Sequence, residues 1–306
     1  MHRLIVAERR WLSEAQFLNA LSFCMLLPGP EAMQLATYVG WRIHGILGGI
    51  VAGLLFVLPG ALIMLCLGIA YVYFGTFGIA GALFLGVKAA IVVIVLQALF
   101  RLAGKALQRP HQWVIAIIGF CGIFILALPF PLIIAMAAIC GFASNRHLQA
   151  TTKLPPLPNG KDTAKTFLIW VGIWWGPLLA IDLFADAPVL AEIGYFFSKL
   201  AVVTFGGAYA VLAYMAQDVV AQLGWLQPAE MMDGLGLAET TPGPLILVTE
   251  FIGFLAAFKT AGIAHGIAGA VIALWATFVP CFLWIFAGAP YLEWLTYQPR
   301  LRGALA

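Results

Sequence analysis

Apolar residues in this chain run in long blocks, broken by short polar or Pro-Gly punctuation and showing no period-two alternation. These blocks predict helices near 13–27, 31–43, 45–73, 77–101, 112–127, 129–143, 166–184, 192–221, 226–241, 245–258 and 262–288. Between His44 and Lys88 there is no Asp, Glu, Lys, Arg or His, which leaves room for one membrane crossing of about 20 residues and most of another. Inside a bilayer every backbone polar group must be satisfied within the protein, so Leu/Ile/Ala-rich runs without alternation select helices over a barrel. The expected fold class is an all-α polytopic integral membrane protein.

The punctuation is not random. Pro-Gly-Pro occurs at Pro28-Gly29-Pro30 and at Pro242-Gly243-Pro244, and the pairs Trp11/Trp225, Leu12/Leu226, Ala15/Ala229 and Leu21/Leu235 share its spacing of 214 positions. Proline lacks the backbone donor and clashes with the preceding turn, so each copy must break its helix. Broken helices at matching places in two halves point to a transporter's binding site. Each following half-helix, Glu31 to Ile43 and Leu245 to Phe258, opens with unpaired N–H groups and a positive dipole end that favour an anion. A plain hairpin turn is the competing reading of either copy alone; the doubling favours a site.

Between the halves, 144–165 is a cytoplasmic linker, with basic residues around Leu154-Pro155-Pro156-Leu157-Pro158. A second basic loop holds Arg101, Lys105, Arg109 and His111, and the positive-inside rule puts both loops on the cytoplasmic side. The segments 112–127 and 129–143 between them then form an out-and-back hairpin. The domain plan is a first repeat at 1–143, the linker, a connecting transmembrane helix at 166–191 and a second repeat at 192–306. Arg9 and Arg10 flank the first Trp-Leu, whereas Asp218, Glu230 and Asp233 surround the second. That contrast favours inverted repeats, although counting crossings leaves the parity open. Internal symmetry also leads us to expect a leading helix missing from the first repeat and trailing helices missing from the second. The first 12 residues show no signal-peptide core, so insertion is expected to rely on internal helices.

Charged residues within apolar blocks cost several kcal/mol unless paired or facing water. Lys88 stands deepest and is the best candidate for contacting an anion, with Lys199 and Arg42 next and snorkelling as their alternative. Glu31, Glu239 and Glu250 lie beside the breaks and are candidates for proton exchange, with capping or pairing as the plainer role. Gln34, Thr240 and Thr241 sit next to the tripeptides. In Thr204-Phe205-Gly206-Gly207 the paired glycines permit local unwinding or close helix contact.

Composition supports this picture and excludes others. Of 306 residues 63% are hydrophobic and 9% charged, with a mean hydropathy of +1.01, whereas soluble domains carry roughly 25% charged residues. The net charge of +3 comes from short basic clusters and gives no reason to expect nucleic acid as a partner. Cys24, Cys66, Cys121, Cys140 and Cys281 lie in apolar segments without C-x-x-C spacing, so they read as packing residues with no metal. No cofactor is expected. There is no H-E-x-x-H, no P-loop and no acidic pair for a metal and diphosphate, which argues against an enzyme. Without a nucleotide loop, transport is expected to draw on a gradient or a separate subunit.

The stretch Cys24-Met25-Leu26-Leu27-Pro28-Gly29-Pro30-Glu31-Ala32-Met33-Gln34-Leu35-Ala36-Thr37-Tyr38-Val39-Gly40-Trp41-Arg42, followed by Gly48-Gly49 and Phe56-Val57-Leu58-Pro59-Gly60, resembles the amino-terminal repeat of the chromate ion transporter family. Thr204-Phe205-Gly206-Gly207 and Leu237-Ala238-Glu239-Thr240-Thr241-Pro242-Gly243-Pro244 resemble the carboxy-terminal repeat of its long, two-domain members. The resemblance implies an inner-membrane secondary transporter that exports chromate and confers chromate resistance, with inverted repeats. It marks Pro28, Gly29, Pro30, Phe205, Gly206, Gly207, Pro242, Gly243 and Pro244 as motif residues. The leading expectation is chromate export by alternating access, with sulfate as a competing anion. Its alternatives are another oxyanion or an organic anion, or a non-transporting membrane subunit completed by a second copy or a partner chain.

Overall fold

The computed structural model describes residues 1–74, 110–125, 160–203 and 208–292, together with Gly86, Val93, Leu96, Gln97, Phe100 and Gly104. The expected helices over 77–101 and 129–143, most of the linker, Lys88 and Thr204 to Gly207 lie outside the described residues. The described helices are α1 (Glu14–Leu26), α2 (Glu31–Phe74), α3 (Pro110–Phe124), α4 (Gly160–Phe184), α5 (Pro188–Val203), α6 (Ala208–Gln217), α7 (Pro228–Thr240), α8 (Val248–Ala261) and α9 (Ile263–Gly288). No strand occurs among the described residues. Helix α3 belongs to a compact unit spanning 88–155 and 294–306, separate from the unit that holds the other helices.

Boundaries follow the local chemistry. Helix α1 starts at a capping box, with the Ser13 hydroxyl accepting from the Gln16 amide at 3.3 Å and the Ser13 amide donating to the Gln16 side chain at 3.0 Å. The same box opens α7, where the Gln227 amide donates to Glu230 at 2.7 Å. Helix α4 begins at Gly160, inside the stretch expected as linker, because Asp162 supports its first turn. Of the helix expected over 192–221, the described residues form α5 to Val203 and α6 from Ala208, and a π-turn covers Asp218–Gln222.

Helix α2 is not one straight rod. His44 and Gly45 leave helical geometry, with Gly45 at φ 65° and ψ −157°, a region essentially reserved for glycine. The chain folds back there, so that a Cβ on Gly40 would strike the carbonyl of Gly48 and lie 2.7 Å from Ala52 Cβ. The pair α8 and α9 repeats this device at Gly262, with φ 80° and ψ −162°. A Cβ on Gly253 would lie 2.6 Å from the Gly269 carbonyl and 2.7 Å from Ala273. In lipid no hydrophobic force drives helices together, and small residues allowing close backbone approach carry the association.

Helix α9 forms the core, packing against α8, α5, α4 and α2. Phe278, Phe282, Leu283, Ile285 and Phe286 are buried along it, and Trp170 of α4 stacks on Phe282 with ring centroids 5.6 Å apart. The opposite face of α4 exposes Phe167, Leu168, Ile169, Leu183 and Phe184, the surface a bilayer covers. Among the described residues, Glu31–Phe74, Gly160–Phe184 and Ile263–Tyr291 are long and apolar enough to cross a membrane.

Candidate functional site

Local structure repeats with the sequence. The π-turn at Arg3–Glu8 matches the one at Asp218–Gln222. The bonds Arg9 N–H to Leu4 O and Trp11 N–H to Ile5 O recur as Leu223 to Asp218 and Trp225 to Val219. Gly29 and Gly243 both hold positive φ, at 117° and 143°, which only glycine adopts without strain. Thus both tripeptides break the chain as proline chemistry requires. The half-helices after them start at Glu31 and, through a 3-10 turn at Leu245–Leu247, at Val248.

Beyond the tripeptides the copies keep register at a new spacing. Gly48/Gly269, Ala52/Ala273 and Pro59/Pro280 lie 221 positions apart, because each arm of the second hairpin is about one turn longer, roughly 6 Å. Consequently the sequence comparison loses the repeat there, and the backbone recovers it.

The two breaks converge. Gly29 and Pro30 line a small, partly open cavity of about 10 Å³ together with Phe197, Leu200 and Ala201 of α5, Ile246 beside the second break and Thr277 of α9. That space holds about one water and no oxyanion. Gln34 is fully buried and its Nε2 donates to the Pro28 carbonyl at 2.7 Å, pinning the first loop. Its Oε1 is buried with no hydrogen-bond partner. On the other side the Thr277 hydroxyl lies 2.7 Å from the Ala273 carbonyl and 3.3 Å from Thr249 Oγ1.

The candidate residues fall into distinct places. Glu250 is 2% exposed in the first turn of α8, and its Oε2 has no hydrogen-bond partner. Glu31 and Glu239 are only partly buried. Thr240 and Thr241 both donate to the Leu237 carbonyl, at 3.0 and 2.6 Å, closing the end of α7. Arg42 is exposed at the far end of its half-helix, beside the His44–Gly45 fold-back. Lys199 is exposed as well; its Nζ stands 5.9 Å from the centre of the Tyr214 ring, while its neighbour Leu200 faces the cavity. Neither cation is therefore brought to the breaks. Lys88, Phe205, Gly206 and Gly207 lie outside the described residues.

Sequence reasoning missed Thr277 and Cys281 on α9 and Gly60 on α2. Cys281 Sγ sits 2.8 Å from where a Gly29 Cβ would be, and a Gly60 Cβ would strike the Pro242 carbonyl. The available signal was that Gly60 and Cys281 each follow a proline inside a long apolar helix. Cys24 is buried like Cys281, in keeping with packing, whereas Cys66 is exposed.

These features define an all-α polytopic membrane protein of the transporter kind, with two helix breaks meeting at one small cavity. The chain belongs to the chromate transporter family, whose sequence model matches residues 1–142 and 191–306. It is 32% identical to a probable chromate transport protein of Synechococcus elongatus, over 98% of this chain and 72% of that protein. It is also 32% identical to the chromate transport proteins of Cupriavidus metallidurans, over 96% of this chain and 69% of that protein, and Pseudomonas aeruginosa, over 100% and 70%. No solved structure matches the chain.

Proposed function

We propose that this protein carries chromate out of the cell across the inner membrane by alternating access, with sulfate competing for the same site. The observation that supports the reading is the meeting of the two breaks: Gly29, Pro30 and Ile246 line one cavity, and an oxyanion bound there would draw on both half-helix N-termini. Family membership and the printed names of the relatives support chromate as that anion. The two repeats are 1–143 and 192–306; the expected linker 144–165 gives way to α4 at Gly160, and the helix expected over 166–191 ends at Phe184, with α5 starting at Pro188; the repeats run in opposite senses through the membrane.

A dianion leaving a cell that is negative inside gains about 2.3 kcal/mol per charge per 100 mV from the field itself. Glu250 is the acid best placed to modulate this, because an ionised carboxylate in the first turn of α8 competes with the dianion for the same dipole.

Chromate uptake into everted vesicles made from cells expressing the chain tests the function. Accumulation above empty-vector vesicles, reduced by added sulfate, is the expected result. Uptake no greater than the control would falsify the export reading for this chain.

A further inference from the structure

Gly60 and Cys281 occupy matching places, one residue after Pro59 of α2 and Pro280 of α9, and each presses on the break belonging to the other half. Gly60 meets Pro242 and Gly243: a Cβ on Gly60 would lie 2.6 Å from Leu247 Cδ1 and 3.5 Å from Gly243 Cα. Cys281 meets Gly29 in the same way, with Gln34 Nε2 closing the other side at 3.0 Å from a Gly29 Cβ. The arrangement is reciprocal. The burial is not: Pro28 and Gly29 are buried, whereas Pro242 and Gly243 are exposed.

Each contact joins a long helix of one half to the loop of the other, so any displacement between the halves acts on both contacts together. Close-packed contacts of this kind switch between discrete arrangements and do not deform smoothly. Both contacts are formed at once here, with Cys281 against Gly29 and Gly60 against Pro242, so opening on either side must release one of them. We propose that Gly60 and Cys281 are positioning residues through which the two Pro-Gly-Pro loops open in alternation, one closing under its helix as the other is released. The proposal rests on the alternating-access reading above and not on the identity of the anion.

The test is thiol labelling in membranes with no chromate present. In a variant with Cys24, Cys66, Cys121 and Cys140 replaced by Ala, the one remaining thiol is Cys281, which is 1% exposed, and N-ethylmaleimide reports opening of the first loop. Adding Gly60→Ala wedges the second loop open and holds the first shut, so labelling of Cys281 slows by at least about fivefold, the lower end of ordinary coupling between sites. General loosening acts the other way and speeds labelling; Gly234→Ala, whose Cβ would lie 2.5 Å from the Phe251 ring, provides that comparison. Labelling of Cys281 that is unchanged or faster with Gly60→Ala overturns the coupling.

A reciprocal limb decides independently. With all five native cysteines removed and Thr240→Cys as the reporter, replacing Cys281 by Met in place of Ala wedges the first loop. It slows labelling at position 240 if the loops alternate, and leaves it unchanged or faster if they do not. Vesicle uptake is measured separately. Failed uptake with slowed labelling removes chromate as the substrate and keeps the coupling, while normal uptake with unslowed labelling does the reverse.

Discussion

Gly45 and Gly262 hold the same backbone conformation, φ 65°, ψ −157° and φ 80°, ψ −162°, each at the point where a helix folds back on itself. A side chain there is strained whatever space surrounds it, and no neighbour lies within 4 Å of either Cβ position. Gly45→Ala and Gly262→Ala are each expected to cost about 1–3 kcal/mol of stability. Unfolding in detergent measures this, and an unchanged midpoint for both would show that the fold-backs relax without penalty.

Arg10 holds φ 52° where the second copy has Gly224 at φ 62°. The left-handed conformation costs an L-residue roughly 1–2 kcal/mol, so Arg10→Gly is expected to raise stability by up to about 1 kcal/mol after glycine's own entropy is counted. The same unfolding measurement checks it, and a loss of stability would mean that the Arg10 side chain contributes more than its backbone costs.

The Tyr71 hydroxyl donates to Asp233 Oδ2 at 3.0 Å, tying α2 of the first half to α7 of the second. Asp233 is 6% exposed, and removing a donor from a buried carboxylate costs about 1.5–3 kcal/mol. Tyr71→Phe is expected to destabilise by that amount. A double-mutant cycle with Asp233→Asn should show coupling above about 0.5 kcal/mol; additive effects would place the contact outside the energetics.

Gln34 holds the first loop through the Pro28 carbonyl. Gln34→Leu keeps the volume and removes the bond, leaving that carbonyl without its donor at a cost of about 1–3 kcal/mol. Chromate uptake is expected to fall by at least about tenfold as the loop loses its fixed geometry. Uptake within twofold of wild type, at equal protein level, would assign Gln34 to packing alone.

Glu250 is the buried acid at the second half-helix. If its ionised form excludes the dianion, uptake falls as pH rises and the carboxyl loses its proton. Glu250→Gln fixes the neutral form, so its uptake should stay at the low-pH level throughout. A variant that keeps the wild-type pH profile would remove Glu250 from the coupling.

Fold class and helix breaks were both readable from the order of the residues. Apolar blocks of spanning length without period-two alternation select helices to satisfy the backbone in lipid, and two prolines around a glycine interrupt them at 28–30 and 242–244, whereas the single Pro59 and Pro280 stand inside helices. Both consequences are local, which is why they were legible at Pro28 to Pro30 and Pro242 to Pro244, and why the capping residues Ser13 and Gln227 match as well. Long-range placement was not legible. Arg42 and Lys199 read as ligand candidates because a charge in an apolar run is costly, yet the helix faces they occupy carry them to the exposed surface. Gly60 and Cys281 carry no chemical signature of their own. Their places at the breaks exist only because α2 and α9 cross to the opposite halves, and such close approach depends on which backbones meet, a property of the assembled bundle that no single segment encodes.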